Sequence, residues 1–402
     1  MIVSIEVPVF KGGWLQRCID SVLYQSSPRW KLSLLWDGGD KQSRQILEKL
    51  KRRKHPGVTV YFAENRGIAR ARRYLTEHSE GDFILPLDDD DALPFNAVER
   101  FLAVAEQKPW SSVIRGQRKI IDEEGKVLDT PPWFPFEKRH YQNGMVTDLN
   151  NHTHPYLIRR SAYERTSGWE GFEDFGFAGE DCDIYLKLEE AGTIELLDEI
   201  LYYYRVHQER ASLVLTDRAA YEMWRRLADK TIERIGLPLK RLSDRPPFQY
   251  ERTRMAPPTL DMVDLVQVAE DVPDRINQGI RQTMRPIIFL VSSADNTGGS
   301  RHLEARLANM RGLDADLVAA ENWILVRREV VNAVGGIDEG FERTQPALVD
   351  FCLKARQRDF QCLAMTSTGF GTRKLVPESS AEADWRRLRQ KWADYPELLV
   401  VE

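Results

Sequence analysis

Cysteine, net positive charge and long apolar runs are all scarce in this chain. Its 4 cysteines are widely spaced among 402 residues, which excludes a zinc site with paired cysteines and a disulfide framework. Lysine and arginine number 57 against 62 aspartates and glutamates, so the net charge of -5 leaves no basic footprint for nucleic acid. No segment approaches the roughly 20 apolar residues that span a bilayer. We therefore expect a cytoplasmic protein without a nucleic-acid partner, whose contact with the inner face of the cell membrane would be peripheral.

Short β-branched runs alternate with helical patterns over the N-terminal quarter of the chain. Leu15, Ile19 and Val22 recur at helical spacing, which predicts a helix with one face packed on a sheet. The expected strands are residues 2–9, 32–36, 58–62 and 82–87, and the expected helices are residues 14–25, 42–54 and 68–78. This alternation predicts an α/β fold with a doubly wound, Rossmann-like sheet and helices on both faces. Residues 113–150 are expected to be irregular.

Turn-forming and charged residues follow each of the expected strands. These segments are residues 8–13, 37–40, 64–67 and 88–91. In doubly wound sheets the ligand lies beyond the carboxyl ends of the strands. The sequence therefore predicts a ligand site at this edge of the sheet.

The fourth of these segments is a run of aspartates, Asp88, Asp89, Asp90 and Asp91. Like charges in a partly desolvated turn raise one another's pKa, and a divalent cation removes that cost. Carboxylate oxygens suit Mg²⁺ or Mn²⁺, which bind through one or two carboxylates and substrate phosphates. In an extended segment alternate residues point the same way, so Asp88 and Asp90 should share a ligand while Asp89 and Asp91 face elsewhere. The structural alternative is an acidic turn that caps the helix after Pro94.

Six short motifs in order resemble those of family 2 glycosyltransferases, which are inverting enzymes of the GT-A fold. The aspartate run is similar to the Asp-x-Asp motif of that family, and Glu180 and Asp181 to its Glu-Asp motif. The other matches are Pro8-Val9-Phe10, residues 36–39, residues 65–72 and Tyr204-Arg205-Val206-His207. The resemblance covers residues 1–215. Trp36 departs from it, because the family has an acidic residue at that position.

The resemblance implies a role for each matching residue. The donor-binding residues would be Pro8, Phe10, Asp37, Arg72, Asp88 and Asp89. Among these, Asp37 would accept a hydrogen bond from the base, and Arg72 would pair with the diphosphate. Asp90 and His207 would hold Mn²⁺ or Mg²⁺. Asp181, beside Glu180, would deprotonate the acceptor hydroxyl.

Each of these residue types also has an ordinary structural explanation. Asp37 suits a simple Asp-Gly turn, Arg72 a solvated helix face, and His207 a hydrogen-bonded core position. Glu180 and Asp181 suit the N-terminus of a helix. The same holds for Trp169 and Phe177, which would either stack on the acceptor sugar or pack beneath their own loop.

These patterns favour a metal-dependent inverting glycosyltransferase. The resemblance implies a UDP-linked sugar as the donor and a glycan or lipid-linked hydroxyl, in surface polysaccharide synthesis, as the acceptor. A sugar-phosphate nucleotidyltransferase is one alternative, although Lys11-Gly12-Gly13 is a poor version of its phosphate loop. A non-catalytic sugar-binding protein is another.

The second half of the chain partly repeats the first. Leu325-Val326-Arg327-Arg328 echoes Leu157-Ile158-Arg159-Arg160, and residues 349–354 echo residues 182–187. The aspartate run has no counterpart there. The predicted domains are a catalytic domain over residues 1–215, a helical and Pro/Arg-rich connection over 216–284, and a partial GT-A-like unit over 285–402.

Overall fold

The computed structural model describes residues 1–129, 145–146, 154–175, 179–208, 217–236, 239–243, 248–252, 263–268, 273–283, 287–292, 307, 317–320, 323–357, 360, 362–366, 369–370 and 383–393. The chain forms two compact units. The first comprises Met1–Glu137 and Asp148–Leu227, and the second comprises Lys138–Thr147 and Ala228–Glu402. Among the helices of these described ranges, none is long and apolar enough to cross a membrane.

Strands and helices alternate strictly up to residue 121 and less regularly after it. Up to residue 129 they are β1 (Val3–Val9), α1 (Leu15–Leu23), β2 (Trp30–Asp37), α2 (Lys41–Arg53), β3 (Val58–Ala63), α3 (Ile68–His78), β4 (Phe83–Pro86), α4 (Ala97–Gln107), β5 (Ser111–Ile121) and β6 (Val127–Asp129). Then come β7 (Met145–Val146), β8 (Tyr156–Arg159), α5 (Arg160–Tyr163), α6 (Glu180–Ala191), β9 (Thr193–Arg205) and α7 (Asp217–Ile235). The remaining elements are β10 (Leu239–Arg241), β11 (Phe248–Arg252), β12 (Val263–Val268), α8 (Pro273–Gln282), β13 (Ile287–Ser292), β14 (Leu317–Ala320), β15 (Trp323–Arg327), α9 (Arg328–Val334), α10 (Thr344–Gln357), β16 (Cys362–Thr366), β17 (Gly369–Phe370) and α11 (Ala383–Lys391).

The first unit is built on a sheet with the order β3-β2-β1-β4-β8-β5-β6, and β9 pairs with β5. β3, β2, β1 and β4 are parallel, whereas β8 runs antiparallel to both β4 and β5. Because the chain moves outward from β1 in both directions, the sheet is doubly wound. The predicted α/β fold with a GT-A-like, Rossmann-like sheet is confirmed.

Helices cover both faces of this sheet, because successive side chains of a strand point to opposite sides. In β4, Phe83 and Leu85 belong to a core that includes apolar residues of α1, α2 and α4. Ile84 belongs instead to a core shared with α5 and α6. Leu35 of β2 packs on α3. The sheet is therefore buried on both sides, and its strand ends are left to carry the polar chemistry.

The expectation of irregular structure over residues 113–150 is wrong for residues 113–121, 127–129 and 145–146, which form strands. Residues 111–121 form an 11-residue strand that pairs with β6, β8 and β9. Its centre, Arg115-Gly116-Gln117, interrupts the apolar pattern. Pairing with three strands, rather than local propensity, stabilises this segment. The aromatic residues 131–136 lie outside the described residues.

The second unit contains the sheet β12-β13-β15-β14-β16-β17 and a small sheet β10-β11-β7. In the larger sheet β12 and β13 are parallel, β15 is antiparallel to β13 and β14, and β16 is parallel to β14. The same sequence of directions relates β1, β4, β8, β5 and β9 in the first unit. β12, which lies in the range 216–284 predicted as a connection, is part of this sheet. The partial sequence repeat thus corresponds to a repeated strand arrangement.

Candidate active site

The aspartate run forms a tight turn directly after β4. We call residues 88–91 the acid turn. The backbone N–H of Asp91 donates to the carbonyl of Asp88 at 3.2 Å, so the segment is not extended. Side-chain oxygens of Asp88, Asp90 and Asp91 lie within 4.8 Å of one another. The expected alternation is therefore corrected for Asp91, because the turn rotates its carboxylate to the side of Asp88 and Asp90.

Asp89 faces away from these three carboxylates, as expected. Its Oδ2 accepts hydrogen bonds from the backbone N–H groups of Phe10 at 2.8 Å and Lys11 at 3.1 Å. Burial, followed by the charge of Asp90, raises the pKa of Asp89 well above its ordinary value. The structure thus places Asp89 as a link between the ends of β1 and β4. Its predicted contact with the donor stays a prediction.

The acid turn concentrates negative charge in a desolvated place. Burial, followed by neighbouring aspartates, raises the pKa of both Asp90 and Asp91. A divalent cation would remove this cost, since it favours the ionised carboxylates. Three carboxylates and a nearby imidazole are also a donor set that suits Mg²⁺ or Mn²⁺. The residues present therefore fit the predicted metal.

His207 provides that imidazole. Its Nε2 lies 2.8 Å from Oδ2 of Asp90, although the two residues are 117 positions apart in the sequence. The side chain is only 5% exposed and its ring packs against Trp14, with 4.4 Å between ring centroids. The structure thus brings together the two residues predicted as metal ligands.

Arg72 is buried rather than on a solvated helix face. Its Nη2 donates to Oδ1 of Asp88 at 2.7 Å, and its Nε donates to Oε1 of Glu180 at 3.2 Å. Although burial opposes its charge, Asp88 and Glu180 raise the pKa of Arg72. Its Nη1 has no hydrogen-bond partner among the described residues. The guanidinium therefore connects the acid turn to the start of α6, and its predicted pairing with a diphosphate stays a prediction.

Glu180 and Asp181 begin α6 after Gly179, whose φ of 85° lies in the left-handed region that glycine adopts readily. Glu180 is 7% exposed. Burial, together with the charge of Asp181, raises the pKa of Glu180 to about 7, against the opposing effect of Arg72. Asp181 is partly exposed, and its Oδ1 accepts the N–H of Cys182 at 2.8 Å. Burial raises the pKa of Asp181 as well.

His154 is a site residue that the sequence did not identify. Its ring is stacked between Tyr156 and Tyr202, with interplanar angles of 7° and 9°. Its Nε2 lies 3.4 Å from Nη2 of Arg72 and 3.7 Å from Oδ2 of Asp88. Burial lowers the pKa of His154 to about 4, so the ring is neutral near pH 7. No adjacent motif signals this residue, because only the sheet brings it to Arg72.

Asp37 occupies the end of β2, where it is 4% exposed. Its Oδ1 accepts the backbone N–H of Arg66 at 3.0 Å, so it fixes the loop after β3. Trp36 lies on the other face, where the guanidinium of Arg44 is 4.9 Å from its ring centroid. Pro8 is buried within β1, and Phe10 is 47% exposed beside the end of this strand.

The two aromatic residues predicted to contact the acceptor have different outcomes. Trp169 is 1% exposed, and its Nε1 donates to Oγ1 of Thr76 at 3.0 Å. This corrects the stacking role of Trp169, because a ring packed in the core presents no face to a sugar. Phe177 lies outside the described residues.

The doubly wound sheet, with carboxylates gathered at its carboxyl edge, defines a GT-A-type α/β domain. Residues 4–166 match the model of the family described as glycosyl transferase family 2. The resemblance to this family that the motifs indicate is therefore confirmed over residues 4–166.

Several characterised and uncharacterised proteins are similar to this chain. The chondroitin synthase of Escherichia coli is 25% identical over 258 residues, which are 62% of this chain and 36% of that protein. The chondroitin synthase of Pasteurella multocida (strain Pm70) is 27% identical over 214 residues, which are 53% of this chain and 21% of that protein. The uncharacterized glycosyltransferase EpsJ of Bacillus subtilis (strain 168) is 29% identical over 215 residues, which are 51% of this chain and 61% of that protein. The chain thus spans less than two thirds of each relative.

One solved structure with similarity to the chain is that of Staphylococcus aureus TarS 1-349 in complex with UDP-GlcNAc. It has a TM-score of 0.44 and 20% sequence identity, and the match covers 58% of this chain and 67% of that chain.

Proposed function

We propose that the protein is a metal-dependent, inverting glycosyltransferase. It transfers a sugar from a nucleoside-diphosphate donor, with UDP as the nucleotide that the family resemblance implies, to a hydroxyl of a glycan or lipid-linked acceptor. The names of its relatives, among them chondroitin synthases, support a place in the synthesis of a surface polysaccharide. The observation that carries the proposal is the acid turn, where Asp88, Asp90 and Asp91 converge beside His207.

The residues of the acid turn and His207 would hold Mn²⁺ or Mg²⁺. When bound, the ion supplies Lewis-acid stabilisation of the charge that grows on the leaving diphosphate. Asp37 lies at the end of β2, two strands from β4, where its carboxylate would accept a hydrogen bond from the donor base. Arg72 holds the carboxylates of Asp88 and Glu180 in fixed positions. Asp88, on the side of the donor, and Glu180, on the side of the acceptor, would thereby keep a constant separation.

Asp181 is the better candidate for the general base. Glu180 is almost fully buried and already accepts a hydrogen bond from Arg72. Asp181 is partly exposed, and burial raises its pKa toward the range that suits proton transfer near neutral pH. One base that takes the proton of an acceptor hydroxyl, on the face opposite the leaving diphosphate, corresponds to a single displacement with inversion.

The test is a panel of nucleotide sugars with Mn²⁺ or Mg²⁺, in which release of nucleoside diphosphate is measured. Asp90→Ala should abolish release, and Asp181→Ala should preserve donor binding but stop transfer. Asp129→Asn, which changes an exposed aspartate at the end of β6, is the control and should retain activity.

Two results would contradict the proposal. Release of pyrophosphate from a nucleoside triphosphate and a sugar phosphate would favour a nucleotidyltransferase. Sugar binding without turnover of any nucleotide sugar would favour a non-catalytic role.

A further inference from the structure

Arg205 contacts the acid turn with both its backbone and its side chain. Its backbone N–H donates to Oδ1 of Asp91 at 2.7 Å, and its Nε donates to the carbonyl of Asp90 at 2.8 Å. The residue ends β9 and is 3% exposed. A side-chain carboxylate and the main chain of the acid turn are therefore both fixed by this one residue.

The other end of the same guanidinium binds the turn between β5 and β6. Its Nη1 donates to the carbonyl of Asp122 at 2.7 Å and to the carbonyl of Glu123 at 3.1 Å. This turn is itself held in shape, because Oδ1 of Asp122 accepts the N–H groups of Glu124 at 3.1 Å and Lys126 at 2.8 Å. Arg205 thus connects the acid turn to the turn between β5 and β6.

Trp14 connects Arg205 to His207. Its Nε1 donates to the carbonyl of Glu123 at 3.0 Å, which is the carbonyl that Arg205 also contacts. Its ring lies 5.9 Å from the guanidinium carbon of Arg205 and 4.4 Å from the ring centroid of His207. The carboxylates and the imidazole of the site therefore share one support.

We propose that Arg205 is a positioning residue that sets the geometry of Asp90, Asp91 and His207 for a divalent cation. The inference rests on the proposed function, because only a metal-dependent enzyme would bind a divalent cation at this site. Loss of a group that orients a metal ligand through a hydrogen bond typically weakens metal affinity or activity by about 10- to 100-fold. Arg205 does not touch the reacting atoms, so its effect is expected on metal binding first and on turnover through it.

Arg205→Lys is the informative substitution. Lysine keeps the positive charge, but its single ammonium cannot reproduce a planar fork that contacts two turns at once. The dissociation constant for Mn²⁺ should therefore rise by about 10- to 100-fold, the usual effect of losing a group that orients a ligand. Activity at saturating Mn²⁺ should recover toward that of the unmodified protein, because no reacting group has been removed.

Arg159→Lys is the matched control. Arg159 also uses its guanidinium to bind carbonyls, those of Ser111 at 2.7 Å and Lys108 at 3.2 Å. It pairs with Phe83 at the start of β4, whereas the acid turn follows the end of that strand. Its replacement should lower the unfolding temperature and leave the affinity for Mn²⁺ unchanged.

The experiment is a titration with Mn²⁺ alone, in which free Mn²⁺ is followed by electron paramagnetic resonance, with thermal unfolding of each variant in parallel. If Arg205→Lys does not fold, Trp14→Phe removes the Nε1 donor, keeps an aromatic ring near His207, and should weaken binding in the same direction. If Arg205→Lys, or Trp14→Phe in its place, binds Mn²⁺ with the same affinity as the unmodified protein, the inference is overturned. The proposed metal site would not be affected by that result. Equal weakening by Arg159→Lys would also overturn it. An unmodified protein that binds no Mn²⁺ would overturn both this inference and the proposed metal dependence.

Discussion

Replacing Glu180 by glutamine should stabilise the protein at neutral and alkaline pH. The pKa of Glu180 is raised from 4.5 to about 7, chiefly by burial, so ionisation of this residue opposes folding. The contribution of Glu180 to the free energy of unfolding is therefore fully present below pH 4.5 and is lost as pH rises through about 7. Glutamine stays neutral at every pH and keeps an oxygen that can accept the hydrogen bond from Nε of Arg72.

The size of the effect follows from the shift in pKa. Each pKa unit corresponds to about 1.4 kcal/mol. A rise in the pKa of Glu180 from 4.5 to about 7 therefore means that its ionisation lowers the free energy of unfolding by about 3 kcal/mol at alkaline pH. Glu180→Gln should match the unmodified protein near pH 4.5 and exceed its free energy of unfolding by up to about 3 kcal/mol at pH 8.5. The loss of a negative charge beside Arg72 does not cancel this gain, because Asp88 still pairs with the guanidinium.

Urea or thermal unfolding in the presence of a chelator, measured from pH 4.5 to pH 8.5, tests this prediction. Glu222→Gln is a control with the opposite sign, since hydrogen bonds from Arg225 and Arg226 lower the pKa of Glu222 to about 2. That variant should lose a little stability above pH 4.5 rather than gain it. Parallel pH profiles for Glu180→Gln and the unmodified protein, or a less stable variant at pH 8.5, would refute the reasoning.

Two further predictions concern the loops after β1 and β2 and the second unit. A Cβ added at Gly39 would lie 1.7 Å from the carbonyl oxygen of Phe10, whereas one at Gly13 would meet nothing within 4 Å. Gly39→Ala should therefore lower the free energy of unfolding by about 1–3 kcal/mol and weaken the binding of UDP, which calorimetry measures. Gly13→Ala should change neither quantity. Lys391→Met leaves Asp338, whose carboxylate is 2.7 Å from the ammonium, without its closest cation, and should cost about 3–5 kcal/mol at pH 7 by urea unfolding. Burial raises the pKa of Asp338, but Lys391 lowers it, so that it lies below its ordinary value of 3.8. The difference in unfolding free energy between Lys391→Met and the unmodified protein should therefore become smaller as pH falls below 3.8. A difference that grows over this range would contradict the prediction.

The sequence by itself determined the fold class and the edge of the sheet where the site lies. Alternating strands and helices predict a doubly wound sheet, and such a sheet brings the carboxyl ends of its parallel strands to one edge. Asp37 and the acid turn each follow a strand, so their common location required no tertiary information. The Glu-Asp pair and His207 were found through the order of motifs, and the structure places Glu180 and His207 in contact with residues at that edge.

Orientation and partner choice were decided only by the tertiary structure. The rotation of Asp91 toward Asp88 depends on a turn that strand alternation does not predict. The supporting role of Arg205 depends on residues 83 and 115 positions away in the chain, which meet only when β9 pairs with β5. Trp169 could not be assigned to core or surface from its sequence context, because its burial depends on α3 and α6 packing over the same face. A local pattern specifies which elements form and where polar residues collect, whereas contacts between distant segments are set by which strands pair in the sheet.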